Sequence, residues 1–264
     1  VKQLSKWCVA VLVGSLAVSG LARSWAADAP TTAPAKEASP PRAPAEPADV
    51  AAPKVDKDGK IQARFQSMHE SFLKRGKAGP IGVLFLGDSI TEGWGHAPDV
   101  WKEHYGMDDP ANFGISGDRT QHVLWRIDNG ELDGITPKVV VLMIGTNNIA
   151  YSAEHILAGD TKIVEEIHQK LPDTKVLLLG IFPRGADPKD PKVAAMREKI
   201  KTVNEGLAKL ADGNKTVYLD IGDKFLDSDG VITKEIMKDA LHPTPAGYKI
   251  WAEAMQPTLD GMLK

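Results

Sequence analysis

Only one of the 264 residues, Cys8, is a cysteine. That excludes an intramolecular disulfide framework and any zinc site built on several thiolates. Charge of one sign is also lacking, since 32 lysines and arginines stand against 35 aspartates and glutamates, a formal net charge of −3. Nothing in that balance seeks a phosphate backbone, so no nucleic-acid partner is expected. No apolar run reaches the ~20 residues that span a bilayer as a helix. With 42% hydrophobic and 25% charged residues, the composition is that of a soluble globular protein.

These totals average three segments. Lys2 and Lys6 precede an apolar run from Trp7 to Ala22, and Ser24-Trp25-Ala26 supplies small residues at the −3 and −1 positions of a cut. Residues 1–26 therefore read as a secretory signal peptide, or, if uncut, as a membrane anchor. Export to a periplasmic, cell-surface or secreted location follows, with no stable membrane span after processing. Cutting after Ala26 would also remove Cys8. From Asp28 to Lys54 the sequence holds seven prolines and nine alanines without a periodic apolar pattern, which reads as an extended, polyproline-like tether. The expected organisation is leader at 1–26, disordered linker at 27–60 and one domain at 61–264.

Within that domain, Gly82 to Leu86, Lys138 to Ile144, Lys175 to Leu179 and Thr216 to Leu219 are short runs rich in branched apolar residues. Continuous runs of this kind predict parallel strands buried on both faces. Ala111-Asn112-Phe113 is a weaker candidate. Helical patterns lie between them. Ser152 can cap a helix carrying Ile156, Leu157, Ile163, Val164 and Ile167 on one face. Val193, Met196, Ile200, Val203, Leu207 and Leu210 recur at three- and four-residue spacing, and Pro245 starts a C-terminal helix with Ile250, Trp251, Ala254 and Met255. Alternating strands and helices predict a three-layer α/β/α sandwich. Chemistry then belongs at the carboxyl ends of the strands.

The first strand ends in Gly87-Asp88-Ser89-Ile90-Thr91. Ser89 is placed to present a hydroxyl at the mouth of the sheet, although a serine there is also an ordinary helix cap. After the weak strand comes Gly114-Ile115-Ser116-Gly117-Asp118, where glycine lets backbone N–H groups approach a ligand; its plainer reading is a turn capped by Asp118. Gly145-Thr146-Asn147-Asn148 follows the most hydrophobic strand, and Asn147 either bonds local backbone or donates to a developing oxyanion. In Asp239-Ala240-Leu241-His242-Pro243 the spacing of three puts both side chains on one turn, so Asp239 can orient the imidazole. Together these supply a nucleophile, a base, an orienting acid and three oxyanion donors: the N–H of Ser89, the N–H of Gly117 and the amide of Asn147. An α/β-hydrolase elbow is excluded, because Gly-x-Ser-x-Gly fails at Thr91.

GDSI at 87–90, the glycine block around Gly117, GTNN at 145–148 and DALH at 239–242 resemble, in order, the four blocks of the SGNH (GDSL) hydrolases. The stretch NFGISGDRTQHVLWRIDNGEL, with PKVVVLMIGTNN and the FPRG at 182–185, is most similar to the catalytic α subunits of intracellular platelet-activating factor acetylhydrolase. The resemblance implies Ser89 as nucleophile, His242 as base and Asp239 as its orienting acid, with Gly117 and Asn147 completing the oxyanion hole. It also implies a flavodoxin-like sheet of five parallel strands, no metal, no organic cofactor, and a homodimer. The leader and tether depart from that pattern, so the substrate of the intracellular enzyme does not transfer directly.

The expected activity is serine-esterase hydrolysis of short-chain esters, acetyl first, through an acyl-enzyme, on O-acetylated glycans or on phospholipids. The contrasting reading is a noncatalytic glycan- or nucleotide-binding module on the same fold; no P-loop supports the nucleotide. His69, His96, His104, His122, His155 and His168 lack metal-ligand spacing and read as surface or capping residues. Trp94, Trp101 and Trp125 read as core or cleft wall, with Trp94 the one to test for substrate contact.

Overall fold

The computed structural model describes residues 47–264. The leader at 1–26, with Cys8, and the tether up to residue 46 lie outside the described residues. Five strands form one parallel sheet: β1 (Val83–Gly87), β2 (Pro110–Gly114), β3 (Val139–Met143), β4 (Lys175–Leu179) and β5 (Thr216–Leu219). Their order is β2-β1-β3-β4-β5, the flavodoxin-like arrangement. The unbroken apolar runs are explained by alternate residues feeding two cores. Leu84, Leu86, Val140, Leu142, Val176 and Leu178 pack on one face, while Val83, Phe85, Val139, Val141, Leu177 and Leu179 pack on the other.

Helices cover both faces. The first core is closed by α1 (Ala63–Lys77), α4 (Thr120–Asp128), α5 (Ala153–Lys170) and α6 (Pro191–Leu207). The second is closed by α2 (Ser89–Glu92), α3 (Pro98–Tyr105) and α7 (Pro245–Leu263). The Ser152 hydroxyl accepts from His155 N, capping α5, and Pro245 opens α7. Leu210 falls beyond α6, in a 3₁₀ turn at Ala208–Leu210. Because β1 connects outward to β2 and β3 returns to its other side, the topology reverses between β1 and β3. The carboxyl ends of those strands flank the crevice where such sheets bind ligands.

The folded region begins upstream of the boundary expected at 61. Ala48 is fully buried; its carbonyl accepts from Thr120 Oγ1 at 2.6 Å, and Ala52 N donates to Gln121 O at 3.0 Å. Gly159 of α5 makes room for this approach, since a Cβ there would lie 2.6 Å from Ala48 O. Val55 and Ile61 then pair in an antiparallel bridge. One small residue and a few backbone groups fasten this strap, a type of contact that leaves no hydrophobic periodicity.

Candidate active site

The carboxyl end of β1 runs through Asp88 into α2, placing Ser89 at the first helical position. Asp88 takes the capping role, its carboxylate accepting from Ile90 N at 2.9 Å. That leaves the Ser89 hydroxyl free to meet His242 Nε2 at 2.9 Å. His242 arrives from the opposite side on the loop before α7. Its Nδ1 lies 2.6 Å from Asp239 Oδ2, and its backbone N donates to Asp239 Oδ1 at 2.8 Å. Partial burial raises the Asp239 carboxyl, but the backbone N–H, imidazole and charge of His242, with the N–H of Leu241, hold it below the usual carboxylate range. An ionised Asp239 accepting from Nδ1–H leaves Nε2 basic and facing the serine.

The other candidate residues sit beside this chain. Ile115 to Asp118 form a β-turn closed by Asp118 N donating to Ile115 O at 3.0 Å, with Gly117 at φ +75°. Asn147 lies in a 3₁₀ turn after β3, held from behind by Arg184 of the FPRG stretch, which donates to Thr146 O at 2.9 Å. Its amide donates to Asp118 O at 2.8 Å and to Asp88 Oδ2 at 3.2 Å. Presenting one of those hydrogens to a substrate oxygen means exchanging the longer bond.

A cleft of about 690 Å³ opens over Ser89 and His242. Its walls include Arg64, Glu92, His96, Ser116 and Tyr248. Arg64 is paired with Glu92, which also accepts from Ser116 N at 2.7 Å. Among the described residues, no three His, Cys, Asp or Glu side chains converge as metal ligands.

Two carboxyls are buried beneath the site. Burial, against the Ile90 N–H and with the charge of Asp118, pushes Asp88 up to about 7. Burial and then Asp88 raise Asp160 well above its ordinary value, and neither Asp160 oxygen meets a hydrogen-bond donor among the described residues. A raised acid keeps its proton in the folded state after the unfolded chain has lost it, so its contribution to stability falls as pH rises from ~4 to the folded pKa. His122, lowered to about 3 chiefly by burial, acts oppositely below ~6.5, so the variant-minus-parent difference is the readout. Asp160→Asn is expected to gain stability relative to the parent as pH goes from 5 to 8. Urea midpoints at the two pH values test this, and a constant difference would refute it.

Packing decides two open readings and corrects one expectation. Asp118 does not cap α4; Arg119 holds the N-cap position with His122 accepting from its backbone N. The Asp118 carboxylate is instead fully buried, 2.8 Å from Lys54 Nζ and 3.0 Å from Arg126 Nε. Trp94 is core and not cleft wall, enclosed by Phe85, Trp101, Tyr105, Tyr248 and Trp251. His69 is neither surface nor cap: it is buried, its Nδ1 3.6 Å from Glu131.

A serine hydroxyl on an imidazole that is held by a carboxylate, at the reversal point of a flavodoxin-like sheet, is the arrangement of a serine-type hydrolase. The sequence model of the GDSL-like Lipase/Acylhydrolase family matches residues 85–250, and the chain belongs to that family. It is a carboxylic ester hydrolase. It is 38% identical over 218 residues to platelet-activating factor acetylhydrolase IB subunit alpha1 of Bos taurus, covering 82% of this chain and 90% of that protein. Identity to the alpha2 subunit of Rattus norvegicus is 39% over 202 residues, covering 75% and 84%. A GDSL-like lipase from Bacteroides thetaiotaomicron shares the fold, with a TM-score of 0.61 at 23% identity over 73% of this chain and 97% of its own.

Proposed function

We propose that the protein is an exported serine esterase that removes short acyl groups, acetyl first, from polar carriers such as O-acetylated glycans. The observation that carries this reading is the Ser89–His242–Asp239 chain at 2.9 and 2.6 Å, opening into a cleft whose walls mix polar and apolar groups. His242 Nε2 takes the Ser89 proton as Oγ attacks the acyl carbonyl. The N–H groups of Ser89 and Gly117 and the Asn147 amide receive the oxyanion. His242 then returns the proton to the leaving alkoxide, and water repeats the sequence to release the acid.

The polar groups of the cleft support a short acyl chain on a hydroxylated carrier. Arg64, Glu92, His96 and Ser116 offer hydrogen bonds to a hydroxylated leaving group beside the apolar surface of Gly93, Pro243 and Tyr248; each acyl methylene that finds no such surface forfeits about 0.8 kcal/mol of burial. Export is supported by the leader pattern in residues 1–26. The similarity to acetylhydrolase subunits supports acetyl, and a homodimer is proposed on the same similarity. A phospholipid carrying a short acyl chain is the second reading, favoured by the similarity to platelet-activating factor acetylhydrolase subunits. A panel of p-nitrophenyl esters from two to twelve carbons tests the pocket, with kcat/KM expected to fall by about tenfold or more beyond four carbons. A maximum at eight to twelve carbons would overturn the short-acyl reading. Acetate release from O-acetylated xylan, compared with a short-chain phospholipid, separates the carriers.

A further inference from the structure

We propose that Lys54, on the strap preceding α1, is a positioning residue that aims the Gly117 N–H into the oxyanion site. The proposal rests on the esterase reading above and adds to it a residue outside the four sequence blocks that carry the candidate site. Lys54 Nζ donates to Ser116 O at 2.7 Å and lies 2.8 Å from Asp118 Oδ1. It thus grips the turn on both sides of Gly117.

The Ser116 carbonyl and the Gly117 N–H belong to one peptide group, planar and trans, so the two point in opposite directions. Holding the oxygen against the ammonium fixes where the N–H points. This matters because positive φ at Gly117 makes Ile115 to Asp118 a type II-like turn, and glycine at that position also tolerates the type I form, which differs by a flip of this same peptide. The flip would turn the N–H away. Lys54 selects one of the two turns, and its charge polarises the peptide in the sense that strengthens the N–H as a donor.

The grip is built in. The Lys54 side chain is only 13% exposed and the Asp118 side chain not at all. Gln62 N donates to Lys54 O at 2.8 Å, closing the strap behind it. Asp118 also holds the second donor, its backbone oxygen accepting from the Asn147 amide at 2.8 Å. One ammonium therefore steadies the segment between two of the three candidate oxyanion donors.

An oxyanion donor acts on the transition state, so misaiming it lowers kcat and leaves KM nearly unchanged. With p-nitrophenyl acetate and the full chain, Lys54→Met is expected to lower kcat per titrated active site by about tenfold to a hundredfold, short of the hundred- to thousandfold for a donor removed outright. KM should stay within about twofold, and Lys54→Arg, which can donate to the same oxygen, should recover most of the loss. Should the methionine variant fail to fold, Lys54→Gln, with a shorter donor and no charge, carries the same comparison. Parental kcat in the uncharged variant, or a loss seen only as raised KM, would overturn the proposal while leaving the esterase reading intact. An inactive parent that a fluorophosphonate does not label would overturn both.

Discussion

Ser89→Ala is expected to lower p-nitrophenyl acetate turnover by about ten-thousandfold or more, with the fold intact. The magnitude follows from the way a nucleophile and its base act as one unit: without the hydroxyl, His242 has nothing to activate except water, and only the oxyanion donors and substrate binding remain. The change should cost little stability. The Ser89 hydroxyl bonds only His242 among the described residues, whereas the cap of α2 is the Asp88 carboxylate. Initial rates, a melting curve and labelling by a fluorophosphonate check the three parts of the expectation. Parental turnover in Ser89→Ala would refute the assignment, and a folded parent that takes no label would favour a noncatalytic binding module.

What was readable in the sequence follows from how each contact is encoded. The strands β1, β3, β4 and β5 announce themselves because burial on both faces demands an unbroken apolar run. β2 is fainter, as an edge strand that opens on Pro110 and carries the half-exposed Asn112. Asp239 and His242 are legible because three residues on one turn fix their geometry locally, and the structure places them as that spacing requires. Ser89, Gly117 and Asn147 each follow a different strand, and only the shared sheet brings their loops together. The strap and the buried charges were not legible. Lys54 stands in an alanine- and proline-rich stretch that reads as a spacer, and its partner Asp118 lies 64 positions on. Arg126 falls in a helical run, TQHVLWRID, where an arginine ordinarily faces solvent. No periodicity marks a single charged side chain whose partners come from other elements.

Arg126 is where that missed information has its largest consequence. Its guanidinium is fully buried and bonds both Glu131 oxygens, at 2.8 and 2.6 Å, as well as Phe113 O at 3.0 Å and Gly87 O at 3.3 Å. Burial alone would push it toward neutrality, but the charges of Glu131 and Asp118 raise its pKa. Arg126→Met keeps much of the volume and leaves two buried carboxylates short of their countercharge. The expected cost is about 3–5 kcal/mol, the range for breaking a buried pair from one side. For a domain of this size that is a fall in Tm of roughly 6–20 °C. Lys249→Met, which removes an exposed pair with Glu253 at 3.8 Å, should change stability by no more than about 0.5 kcal/mol. Urea unfolding of both variants makes the comparison, and equal costs would show that the buried network contributes nothing beyond surface charge. If unpaired carboxylate is the cause, Arg126→Met with Glu131→Gln should be less destabilised than the two single changes added together. Additive costs would instead assign the loss to the other partners of Arg126, the Asp118 carboxylate and the carbonyls of Gly87 and Phe113. In that case kcat should fall in the surviving fold as well, because Gly87 ends β1, Phe113 stands one residue before the end of β2 and Asp118 follows Gly117, so all three lie on the segments that carry Ser89 and Gly117.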